Sequence, residues 1–174
     1  MSNRLTKSPN DPVKPALDNP LWRYSLAVYG YSPLQQALLD LQDNQGAQVN
    51  VLLAQGWLQQ QGRNISPQQW QAVGQLLAPW FSLTHSLRSQ RRAIKANASG
   101  AMGARLYTAV KALELAAEQR QQALIYDYLQ TWAQGGAAGA EVVFSGLTPT
   151  QSEALQGIFR QAWKAAQKDK AQNN

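Results

Sequence analysis

Arg88, Arg91, Arg92 and Lys95 are the residues whose type and spacing most plainly suggest chemistry. At 100° per residue they fall within a sector of about 100° on a helix, beside the apolar positions Leu83, Leu87 and Ile94. Four cations in two turns repel one another unless a counter-charge is recruited. No acidic residue occurs between Asp43 and Glu114, whereas residues 44–113 hold seven basic ones. That stretch contributes +7 and the rest −1 (nine basic, ten acidic), giving the net charge of +6. Charge-assisted hydrogen bonding to an anion is the chemistry such a face offers. Nucleic-acid phosphate, an acidic protein surface and an anionic lipid surface all fit it; the alternative is a solvated face partly covered by acidic residues from elsewhere in the fold.

Candidates for catalysis are sparse. A nucleophile, a tuned acid–base pair or a metal would be needed. The chain has no cysteine, so thiolate chemistry, disulfides and cysteine-held metals are excluded. His85 is the single histidine, which excludes two-histidine metal sites. Asp40 and Asp43, three apart, and Glu114 and Glu118, four apart, have the spacing of ordinary solvated helix faces. The glycines at 100, 103 and 135–139 lack the Lys-Ser/Thr of a phosphate loop, and no G-x-S-x-G elbow occurs. No catalytic set, cofactor or metal ligand set is expected.

The elements that carry these residues read as helices throughout. Asn19-Pro20 places a capping side chain before a proline in the first turn. Ser32-Pro33-Leu34-Gln35, Ser66-Pro67-Gln68-Gln69 and Thr148-Pro149-Thr150-Gln151 repeat a capping box with a proline start. The spacing predicts helices over about 20–29, 33–44, 50–61 and 67–78, a fifth from Pro79 to about Ala96, and a long pattern over about 104–134, either continuous or broken near the polar run Glu118–Gln122. The last would start at Pro149. In the long helix Leu106, Val110, Leu113, Ala117 and Leu124 keep near-heptad spacing. Asn50 is placed to cap the third helix. Trp57, on the Val49/Leu53 side, is expected in the core. Val142-Val143-Phe144 reads as an apolar plug docking on the helices, since a lone strand has nothing to pair with.

The expected fold is therefore all-α, a single helical-bundle domain of about seven helices over 19–167 with an internal linker at 135–147. The 174 residues suit one domain, and the 44% apolar content supplies a core. Residues 1–18 and 168–174 are polar and poor in apolar anchors, and are expected as disordered tails. No stretch approaches about 18 consecutive apolar residues, and the first 20 residues have no apolar run. A cytoplasmic location is the expectation.

The runs Trp22-Arg23-Tyr24-Ser25-Leu26-Ala27-Val28-Tyr29, Leu38-Leu39-Asp40-Leu41-Gln42-Asp43 and Val49-Asn50-Val51-Leu52-Leu53, closing on Trp57-Leu58, resemble a signature of uncharacterised proteobacterial proteins. That family is catalogued only as a domain of unknown function. The resemblance spans about residues 20–130 and is most specific over 22–58. In that pattern an acidic residue precedes the Val-Asn pair, where Gln48 stands here. The resemblance implies an α-helical cytoplasmic bacterial protein and carries no activity, cofactor or catalytic residue.

The sequence thus predicts a non-enzymatic binding or adaptor protein whose basic helix, through Arg88, Arg91, Arg92 and Lys95, contacts an anionic partner. Nucleic acid or ribonucleoprotein stands slightly ahead of acidic protein. The alternative is a small enzyme, independent of metal and cysteine, acting through carboxylates such as Asp40 and Asp43 or through His85.

Overall fold

The computed structural model describes residues 16–132 and 144–172. Residues 1–15, most of the expected N-terminal tail, lie outside the described residues, as do 133–143 of the linker region. Among the described residues six helices follow one another: α1 Pro20–Tyr29, α2 Ser32–Gln45, α3 Val49–Gln60, α4 Pro67–Asn97, α5 Gly100–Thr131 and α6 Pro149–Gln172. The domain is all-α, with one helix fewer than the seven expected. α6 continues to Gln172, through residues read from sequence as a polar tail. No helix among the described residues is long and apolar enough to cross a membrane.

Local signals explain most of the boundaries. Asn19 accepts a hydrogen bond from the Trp22 N–H at 3.0 Å and so caps α1. Ser66 and Gln69 form a reciprocal capping box, and Thr148 and Gln151 form a second. The third expected box does not form. α2 starts at Ser32 itself, with Tyr31 in the cap position and no side-chain cap. Gly46, at φ +68°, takes the left-handed conformation that ends α2.

The missing helix boundary is Pro79. Rather than starting a helix, Pro79 lies within the continuous 31-residue α4. A proline there removes one backbone hydrogen bond and frees the Gln75 carbonyl. Both Pro79 and Gln75 are exposed, so water can take up that carbonyl. Meanwhile Trp70, Val73, Leu77 and Thr84 keep one buried face running past the proline. Side-chain packing holds the helix together across it.

The core sits around α3, in which every residue from Leu52 to Leu58 is buried. Gly56 lets α6 approach: a Cβ there would fall 2.6 Å from the Phe159 ring. Phe144 is fully buried and stacks on Phe159 at a centroid distance of 5.6 Å. It is locked by a bond from its N–H to Ser152 Oγ at 3.2 Å. Trp57 is 7% exposed and packs on Tyr126, so it is a core residue as expected.

Helices α4 and α5 form a long antiparallel arm. At Cα separations of 8 Å or less, α4 neighbours α5 and no other described helix. Gly100 makes the turn at φ +74°. Gly103 closes the arm tightly, since a Cβ there would fall 2.7 Å from the Ala98 carbonyl oxygen. At 1.5 Å per residue each arm helix is about 45 Å long.

Candidate functional site

The antiparallel register of the arm brings the basic face of α4 against α5. Arg88 and Arg91, three apart, meet Glu114 and Glu118, four apart. Arg88 donates from Nε to Glu114 Oε1 at 2.9 Å and from Nη2 to Glu118 Oε1 at 2.8 Å. Arg91 donates from Nε to Glu114 Oε2 at 2.5 Å. The Glu114 side chain is only 8% exposed, and those of Arg88 and Arg91 are 20% and 23% exposed. Arg92 turns the other way and reaches Asp43, at the end of α2, at 3.1 Å in a solvated pair. Lys95 is exposed and has no ion-pair partner among the described residues.

The four candidate residues therefore do not form one free cationic face. Two lie inside the arm, one bridges to α2 and one is in water. Their counter-charge comes from within the chain. Sequence spacing read Glu114 and Glu118 as a solvated pair, whereas both are held by Arg88. The signal was present in the facing i,i+3 cations and i,i+4 anions, but only the hairpin register makes them meet. Of the enzymatic candidates, Asp40 accepts from Gln36 and Asp43 from Arg92, and His85 is exposed. Among the described residues no group of three or more His, Asp or Glu is placed to hold a metal ion.

The two glutamates differ electrostatically. Burial raises the Glu114 carboxyl, but hydrogen bonds from Arg91 and Arg88 outweigh it and hold it below the usual carboxylate range. Glu118 is raised, first by burial; the charge of Arg88 opposes this, and that of nearby Glu114 adds to it.

Beside this network runs a row of amides. Gln122 Nε2 donates to Asn50 Oδ1 at 2.9 Å, and Asn50 Nδ2 to Gln121 Oε1 at 3.0 Å. Gln121 Nε2 donates to Thr84 Oγ1 at 3.2 Å, and Thr84 Oγ1 to the Trp80 carbonyl at 2.9 Å. Head-to-tail bonds of this kind polarise one another. Asn50 is thus a tie from α3 to α5 and not the expected cap; α3 begins at Val49, and its cap position is Gln48. The chain has 24 glutamines, and these two are buried in the contact between helices rather than on the surface.

A cleft of about 430 Å³ opens between α1–α3 and the arm. Trp22, Leu26 and Leu53 line one side, and Arg88, Lys111 and Glu118 the other. Ser25 and Gln122 also line it and are 3% and 1% exposed. Ser25 Oγ and Gln122 Oε1 have no hydrogen-bond partner among the described residues.

The opposite flank of the arm is apolar. Leu76, Leu83, Leu87 and Ile94 of α4 fall within about 40°, as do Met102, Leu106 and Leu113 of α5. Leu83, Leu106, Leu113 and Met102 are 45%, 46%, 58% and 65% exposed.

The chain belongs to the family described as "Protein of unknown function (DUF2390)", whose model matches residues 20–125. That span contains α1 to α4, most of α5 and every residue that lines the cleft. No curated protein and no solved structure matches the chain.

Proposed function

We propose that this chain is a non-enzymatic binding or adaptor protein that engages an acidic protein partner through the α4–α5 arm. The observation that carries the reading is the exposed leucine ridge of the arm, in a stretch without acidic residues up to Glu114. Contiguous exposed apolar side chains on a water-soluble surface mark interaction sites. A ridge at helical spacing suits an amphipathic helix laid alongside it. The exposed cations Lys95 and Arg105 favour acidic flanks on that helix. An acidic protein moves ahead of nucleic acid because Arg88 and Arg91 already have carboxylate partners. The cysteine-free composition accords with a bacterial cytoplasmic setting, which belongs to the same proposal.

Capture from lysate with and without nuclease, comparing wild type with Leu106→Glu/Leu113→Glu, tests this. Both positions are exposed, so the variant should keep the wild-type circular dichroism and melting. A protein partner retained after nuclease and lost by the variant is the expected result. Capture abolished by nuclease, or unchanged by the variant, would overturn it.

A further inference from the structure

We propose that the cleft between α1–α3 and the arm binds a short linear zwitterion with an apolar middle, of the class of a free-ended apolar tripeptide. This site lies on the flank of the arm opposite the leucine ridge and does not depend on the adaptor reading. At about 430 Å³ the cleft falls in the range of small-ligand sites, roughly 300–1,000 Å³.

Helix α5 supplies an ordered row along the cleft. Lys111, Leu115, Glu118 and Gln122 fall within about 60° of one another on the helix. In that order they offer a cation, an apolar contact, a carboxylate and an amide oxygen. Arg88 and Arg91 are balanced by Glu114 and Glu118, which leaves Lys111 with no ion-pair partner among the described residues. Glu118 Oε1 is held by Arg88, while its Oε2 takes no hydrogen bond from the described residues. Gln122 donates to Asn50, and its buried Oε1 has no donor among the described residues. Donation through the amide makes that oxygen a stronger acceptor. Ser25 Oγ is a second buried group in the same lining without a partner among the described residues.

The free Glu118 Oε2 calls for a cationic N–H group. Lys111 calls for an anion. Seven residues separate Lys111 from Glu118, about 10 Å along the helix axis. An extended tripeptide spans about that length between its termini. Leu115, Leu26 and Trp22 give its middle an apolar wall. The ammonium end then meets Glu118, and the carboxylate end meets Lys111.

Calorimetric titration of the full chain with the tripeptide Ala-Leu-Ala tests the assignment, alongside its N-acetylated and C-amidated forms. The free-ended peptide should bind at least ten-fold more tightly than either blocked form. Lys111 is exposed, so Lys111→Gln should fold normally. That variant should lose about ten-fold for the free peptide and bind the amidated form as the wild type does. No binding of the free peptide by wild type would overturn the proposal. So would equal binding of free and blocked peptides, or an affinity that Lys111→Gln leaves unchanged.

Discussion

Arg88 Nε lies 2.9 Å from Glu114 Oε1, across the interface between the two helices of the arm. Read along α4 alone, that arginine is one of four cations awaiting an external anion. In the folded chain its guanidinium also holds Glu118, so it clamps two turns of α5.

Glu114→Gln and Glu118→Gln should differ in sign. Glu114 is held below its ordinary value of 4.5, so its contribution is present above that value and disappears as pH falls through the lower folded-state value. Its replacement leaves two partly buried arginines short of a counter-charge and should cost about 3 kcal/mol at pH 7. The deficit should shrink below about pH 4. Glu118 is raised above 4.5, so its contribution favours folding at low pH and is lost as pH rises through the folded-state value. Glu118→Gln should therefore gain on wild type as pH rises from 4 to 7. Urea melts of both variants across that range check the two signs.

Asn50→Ala should cost about 2–3 kcal/mol, because it strands Gln121 Oε1 and Gln122 Nε2 as well as removing its own bonds. Asn50→Ser separates this from helix capping. Serine is a good cap, so a capping role predicts recovery to near wild-type stability. Its short side chain cannot span from α3 to α5, and the tie predicts that Asn50→Ser stays nearly as unstable as Asn50→Ala in chemical denaturation.

Trp57→Ala should cost about 3–5 kcal/mol, the usual range for deleting a buried indole. The ring is 7% exposed and sits 5.7 Å from the Tyr126 ring, measured between centroids. An unchanged melting temperature in this variant would place the ring outside the core.

The all-α class was legible because proline starts and capping side chains act within one turn. Asn19, Ser66 and Thr148 do in the structure what their spacing predicts. Pro79 misled because its effect on a helix depends on whether the freed carbonyl meets water and whether the buried face carries on, and both are tertiary facts. The basic residues were legible as a group, but their partners were not. Glu114 lies 26 residues from Arg88, and only the turn at Gly100 and the close approach at Gly103 set the register that joins them. Asn50 reached its partners across about 70 residues, beyond any local pattern. The cleft was not legible at all, since five helices contribute to its walls.

The claim that most of the basic helix is neutralised from within is tested most directly by the salt dependence of nucleic-acid binding. Log K for single- and double-stranded oligonucleotides would be measured against log salt for the wild-type protein. Each phosphate contact contributes about −0.7 to −0.9 to the slope. With Arg88 and Arg91 held by Glu114 and Glu118, only Lys95 and the solvated Arg92 of the four are left to meet phosphate, so Arg88→Gln/Arg92→Gln should flatten the slope by no more than about one unit. A slope of about −3 to −4 that Arg88→Gln/Arg92→Gln flattens by roughly two units, with the fold intact, would contradict the account.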